Sequence, residues 1–146
     1  MATLHSDAFG ARTDGGYRPS ANEEFMNSEQ VAYFRQKLLG WKDAIIRESR
    51  ETMVTLASGP IQEADLTDRA SSETDWSIHL RTRDRQRKLI AKIDSALRRI
   101  DTGEYGFCEV SGEPIGIARL EARPIATMTV EAQERHERNE RISRDD

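Results

Sequence analysis

Asp65 and Asp68 stand three residues apart in the stretch Gln62-Glu63-Ala64-Asp65-Leu66-Thr67-Asp68-Arg69-Ala70. Two carboxylates at that spacing suit a general acid–base pair, an approach to a metal ion, or simply the start of a helix. A helix start needs a side-chain oxygen for its first free N–H groups, and Asp65 or Thr67 provides one. Asp68, just inside, then complements the positive end of the helix dipole. Nothing nearby in the sequence builds a pocket around the pair, which counts against acid–base catalysis.

Other reactive side chains are sparse. Cys108 is the one cysteine among 146 residues, so a disulfide within the chain is impossible and a cytosolic setting is the natural reading. His79 falls on the apolar side of a helix as a polar core residue. His136 lies among arginines and glutamates on a surface. The run from Arg81 to Lys88 spreads over more than one helical face, which suits solvation and salt bridging, and it lacks the aromatic interleaving of a nucleic-acid patch. Net charge is −4, from 26 acidic and 22 basic residues. A free DNA binder ordinarily needs a basic excess, because phosphate neutralisation supplies its affinity. Neither a signal-peptide core nor a run of roughly 18 apolar residues is present, so the expected setting is soluble and cytoplasmic, with no membrane partner.

The elements that must carry these residues follow from periodicity. Residues 1–26, rich near the start in glycine and small polar types, read as a flexible tail and lead-in. From Asn27 or Ser28, a plausible N-cap, Val31, Phe34, Leu38, Trp41 and Ile45 recur three and four apart, the spacing of a coiled-coil seam. The seam then becomes polar at Glu48 and Thr52, and Ser58-Gly59-Pro60 stops the helix. A second helix is expected over about Leu66 to Thr102. Its seam is apolar at Ile90, Ile93, Leu97 and Ile100 and polar at Trp76, His79, Arg83 and Gln86. Both helices are therefore greasy at the end away from the turn and wet near it. Folded back antiparallel, Phe34 is expected to meet the Ile90 region and Val31 the Ile93 region. The fold class is mainly α: a long antiparallel coiled-coil hairpin over 27–103 with its tip at about 58–70. A small irregular head with β-like pieces follows over 104–128, then a charged helix over 129–146.

Three stretches carry a resemblance: the tip Asp65-x-x-Asp68-x-Ala70, the run Arg81-Thr82-Arg83-Asp84-Arg85-Gln86-Arg87-Lys88-Leu89-Ile90, and Gly116-Ile117-Ala118-Arg119-Leu120-Glu121-Ala122-Arg123-Pro124. In this order and spacing the sequence resembles the DksA/TraR family of RNA polymerase-binding regulators, over about Glu23 to Ile142. The resemblance implies a protein without catalytic activity that inserts its coiled coil into the secondary channel of RNA polymerase. It implies Asp65, Asp68 and Ala70 acting near the active centre, and Arg81, Arg85 and Lys88 at the polymerase rim. It also implies Leu89, Lys92 and Arg123 contacting guanosine tetraphosphate (ppGpp) at the interface, with Gln133 where the family pattern has a lysine. The outcome would be control of open-complex stability at ribosomal RNA and amino-acid promoters by a monomer that makes no sequence-specific DNA contact.

One departure is large. The family's head is a four-cysteine zinc finger, and the matching positions here are Cys108, Ser111, Thr129 and Ala132. A structural zinc site takes four ligands, mostly thiolate or imidazole, so no zinc is expected. Tyr105, Phe107, Val110, Ile115, Ile117, Leu120, Ile125, Met128 and Val130 are expected to hold the head instead. Two rival readings remain: a Gre-like transcript-cleavage factor, which also presents an acidic tip, and a coiled-coil adaptor. The Gly116 to Pro124 stretch separates the DksA/TraR pattern from the first.

Overall fold

Asn27 starts the first long helix. Its Oδ1 accepts a hydrogen bond from the Gln30 N–H at 2.9 Å, the arrangement that satisfies a free helical donor. The Gln30 side chain turns back, and its Oε1 accepts from the Met26 N–H at 2.7 Å. Helix α1 then runs Ser28–Ala57. The computed structural model describes residues 16–57 and 66–145. Residues 16–26, read from sequence as the end of a lead-in, fold against the base of α1. Tyr17 donates to Glu23 at 2.7 Å, Phe25 packs edge-on to Phe107, and Met26 occupies the space beside Gly106. A Cβ at Gly106 would lie 2.9 Å from the Met26 side chain, and its φ of +91° also favours glycine.

Helix α2 spans Leu66–Thr102. It ends where the sequence places Gly103, which adopts φ +80°. The Glu104 N–H reaches back to the Arg99 carbonyl at 2.9 Å and the Gly103 N–H to that of Ile100 at 3.2 Å, closing the last turn. The two long helices pack antiparallel, as the seams predict. Their register differs from the one expected. Arg35 pairs with Asp101 at 2.9 Å and Lys42 with Asp94 at 2.6 Å. Phe34 is thus level with the end of α2, its ring 5.8 Å from that of Tyr105, and Ile45 comes level with the Ile90 region. The expected pairing took Gly59-Pro60 as the point of reversal. The register is instead set at the base, where the apolar residues are. Near the far end the Trp76 indole donates to the Leu56 carbonyl at 3.4 Å. About ten residues of α2 therefore extend past the level of Ala57, roughly 15 Å of helix.

The core lies at the base and runs into the head. Phe34, Leu38, Ile93 and Leu120 are fully buried, with Ile45, Ala96, Ile100, Tyr105, Cys108, Ile115, Ala126 and Ala132 close behind. An isolated antiparallel bridge joins Phe107 and Pro114, the short helix α3 spans Ile117–Ala122, and α4 spans Val130–Asp145. Tyr105, Ile115 and Leu120 fill the head as expected, and Phe107 is half-buried. Ile117, Ile125 and Met128 pack against the core from its edge. Val110 and Val130 do not join it, being 62% and 45% exposed. Val110 sits in the tight turn closed by the Gly112 N–H on the Cys108 carbonyl, and Val130 begins α4 facing outward. No helix among the described residues is long and apolar enough to cross a membrane.

One ion pair fixes α3 to α1. Lys37, with only 9% of its side chain exposed, reaches the Glu121 carboxylate at 2.6 Å and the Glu121 carbonyl at 3.0 Å. The Lys37 ammonium also lies 5.8 Å from the centre of the Tyr33 ring. Truncating one partner of a buried pair strands the other charge, whereas an exposed pair contributes little. Glu121→Ala should therefore cost about 3 kcal/mol and Asp101→Ala, which breaks the exposed Arg35 pair, less than about 1 kcal/mol. Urea unfolding of the two variants measures the difference.

Candidate functional site

The acidic motif is described only in part. Asp65 lies outside the described residues. Asp68 and Ala70 lie in the first turns of α2, where the backbone alone is described.

From there α2 leads back along a basic stripe. Arg81, Arg85 and Lys88 are all exposed. Their spacing of four and three residues puts them on one helical face, a narrower surface than the whole Arg81–Lys88 run suggested. Lys88 pairs with Asp84 at 3.0 Å, and an Arg85 guanidinium N–H donates to the Thr82 hydroxyl at 3.3 Å. Continuing the same alternation gives Lys92, Ser95 and Arg99. These three line a cavity of about 240 Å³ between α2 and the head, with Arg119, Arg123 and Gln133 among the residues on its other walls. Lys92 and Arg123 are thereby brought together although they are far apart in sequence. Leu89 lies one turn before Lys92, half-buried and packed against the core. The Gln133 amide donates to the Glu137 carboxylate at 3.0 Å. Arg99 and Arg119 were not singled out as site residues from the sequence. Arg99 lies in the last turn of α2, where a cation suits the helix dipole in any case, and the stripe ending in it is visible only once the face of α2 that meets the head is known.

Cys108, Ser111, Thr129 and Ala132 also come together. The Cys108 Sγ accepts from the Ser111 N–H at 3.5 Å and faces the Thr129 hydroxyl at 4.0 Å. That hydroxyl in turn accepts from the Ala132 N–H at 3.2 Å, which makes Thr129 the N-cap of α4. Cys108 is buried, 3% exposed. Burial works to raise its thiol, but hydrogen bonds from Ser111 and from the backbone around Thr129 and Val110 outweigh that and bring it down to about 6.

Two family models match in tandem: "DnaK suppressor protein DksA, N-terminal domain" over residues 30–100 and "Prokaryotic dksA/traR C4-type zinc finger" over 103–138. The RNA polymerase-binding transcription factor DksA of Caulobacter vibrioides is 68% identical over 130 residues, covering 89% of this chain and 92% of its own. The chain belongs to the DksA family. The Escherichia coli K12 member is 39% identical over 115 residues, covering 79% of this chain and 76% of its own. The structure of transcription factor DksA2 from Pseudomonas aeruginosa matches with a TM-score of 0.74 at 40% identity, over 85% of this chain and 94% of that one. These are transcription factors, not enzymes.

The zinc-finger match makes the donor set a direct question, and the residues do not fit a structural zinc. One thiol is available among the four positions, two are hydroxyls at best, and Ala132 has no donor atom. Among the described residues, no group of three or more His, Cys, Asp or Glu side chains is placed to hold a metal. Hydrogen bonds from N–H groups to Sγ, together with the Thr129 cap, tie the same backbone points together. The purified protein should carry no stoichiometric zinc by elemental analysis and should keep its circular dichroism in EDTA. The thiolate absorbance of the folded protein should rise with a midpoint near pH 6. A thiol depressed in the folded state adds stability that is complete above its unfolded value, about 8.5, and is lost as pH falls through about 6. The stability advantage over Cys108→Ala should grow with pH across that interval.

Proposed function

We propose that this chain regulates transcription by binding RNA polymerase, entering the secondary channel with its α1–α2 arm. The observation that carries the reading is the 68% identity to the Caulobacter RNA polymerase-binding transcription factor over 130 residues spanning arm and head. Helix α2, at 37 residues, is about 55 Å long, a reach suited to a deep channel. Arg81, Arg85 and Lys88 contact the polymerase rim from one exposed face. Asp65, Asp68 and Ala70 then lie near the active centre, where carboxylates alter the field around a catalytic Mg²⁺ or basic groups without forming a bond. The outcome is altered open-complex lifetime at ribosomal RNA and amino-acid promoters. The protein acts as a cytoplasmic monomer.

Guanosine tetraphosphate is the proposed co-regulator, held by Lys92 and Arg123 with Leu89 as an apolar neighbour. Lys92 and Arg123 flank one cavity, and guanidinium and ammonium groups are the natural donors to phosphate. At about 240 Å³ the cavity is smaller than pockets that enclose a whole drug-sized ligand. It is a half-site for the phosphates, to be completed by the polymerase surface.

Asp68→Asn keeps shape and hydrogen bonding while removing charge. It should leave polymerase affinity within about twofold and abolish most of the effect on open-complex decay. Unchanged decay kinetics with normal binding would sink the tip mechanism. Acceleration of transcript cleavage by the wild-type protein, lost in Asp68→Asn, would favour a cleavage factor instead. Separately, alanine at both Lys92 and Arg123 should remove the response to guanosine tetraphosphate, and a retained response would exclude these residues from its site.

A further inference from the structure

Every charged side chain on the walls of the α2–head cavity is a cation: Lys92, Arg99, Arg119 and Arg123. Two of them are anchored to the backbone of the segment that closes the cavity. Arg119 Nε donates to the Met128 carbonyl at 2.9 Å, and an Arg99 Nη donates to that of Ala126 at 3.3 Å. The Arg99 guanidinium also lies 5.9 Å from the centre of the Tyr105 ring. It is held in place from two sides, but it is not satisfied. Its Nε is buried and has no hydrogen-bond acceptor. A buried donor without a partner costs about 1–3 kcal/mol, and such a group in a folded protein calls for an acceptor from elsewhere. Arg99 also borders a second cavity, with Glu104 and Glu109 on its walls; on the α2–head side it stands with three further cations and no carboxylate, a lining that suits an anion.

Opposite stands Gln133, at the position where the resemblance calls for a lysine. Its amide is engaged by Glu137, so it brings no charge and is committed to a neighbouring acid. The cavity has lost a cation on the α4 wall. Arg99 offers one on the α2 wall, at the end of the stripe that runs through Arg81, Arg85, Lys88 and Lys92.

We infer that Arg99 is a binding residue of this cavity. Its guanidinium stands beside a phosphate of the nucleotide and supplies the positive charge that Gln133 lacks. The inference rests on the alarmone reading above and adds to it a residue that the resemblance does not provide. Lys92 and Arg123, both exposed, hold the phosphates from outside, and Arg99 anchors them from within. Because Arg99 is fixed before the ligand arrives, little side-chain entropy is lost on binding, which favours a rigid guanidinium over a mobile lysine.

The test is a titration of guanosine tetraphosphate against open-complex lifetime, with RNA polymerase and the full chain. A charge-assisted hydrogen bond of ordinary strength predicts that Arg99→Gln raises the half-effect concentration about tenfold. The effect without nucleotide should stay within about twofold. Arg99→Lys, which keeps charge but not the planar guanidinium, should give a smaller loss. The double variant Arg99→Gln with Gln133→Lys should recover most of the response, and Gln133→Lys should gain more in that background than in the wild-type protein, a non-additivity that a purely structural role would not produce. An unchanged half-effect concentration in Arg99→Gln, while Lys92→Ala weakens the response, would overturn the role of Arg99 and leave the alarmone site standing. No response in the wild-type protein, or none altered by Lys92→Ala and Arg123→Ala, would overturn both. Equal loss of the nucleotide-free effect in Arg99→Gln and Arg99→Lys, without rescue by Gln133→Lys, would mark Arg99 as structural and overturn the inference.

Discussion

Burial of Phe34, Leu38 and Ile93 at the base of the hairpin is the contact on which the rest of the structure depends. All three are fully buried, and burial of side chains of this size stabilises by about 1.5–3 kcal/mol each. They hold α1 against α2, set the register that the Arg35–Asp101 and Lys42–Asp94 pairs then follow, and give the head a surface to pack on. Phe34 touches both sides of this junction through Tyr33 and Tyr105. Removing the apolar base would leave no comparable cluster farther out. Among the described residues, none of the apolar side chains of α1 beyond Ile45, or of α2 before Ile93, is fully buried.

The distal arm is accordingly a different kind of structure. Gln86 occupies a buried seam position, and its side-chain oxygen has no partner. A polar residue at such a seam lowers stability and pins register. Beyond it the helices are joined by contacts such as that of Trp76 with Leu56. A firm base and a lightly held far end suit a protein that is gripped at one end and works at the other. Asp68 and Ala70, in the first turns of α2, stand many turns of helix away from Ile93 and the core that it joins.

The head reaches a zinc-finger-like arrangement by other means. A metal would gather four side chains at one point. Here the Cys108 sulfur, the Thr129 hydroxyl and the backbone N–H groups of Ser111 and Ala132 form a chain of hydrogen bonds through the same four positions. Each bond is weak compared with a zinc–thiolate bond. They suffice because Tyr105, Leu120 and Ile115 are buried beneath them and the Lys37–Glu121 pair ties α3 to the arm. Ala132, which would be an empty ligand position, is itself part of the core.

Much of this was legible from sequence, because helical periodicity is a local property. The two seams, the start of α1 at Asn27, the end of α2 at Gly103 and the greasy base all follow from residue spacing within a few turns. The lost ligand set is equally plain, since a side chain without a donor atom cannot hold a metal in any fold. What depends on distant partners was not legible. The register of α1 against α2 came out several residues from expectation, because base packing decides it, with two cross-helix ion pairs following, and not the position of the turn. Val110 and Val130 look like core residues by type, yet the turn and helix start that they occupy face them outward. The basic cavity needed the head to fold onto the last turns of α2. Only that closure brings Arg99, at the end of α2, into one cavity with Arg119 and Arg123.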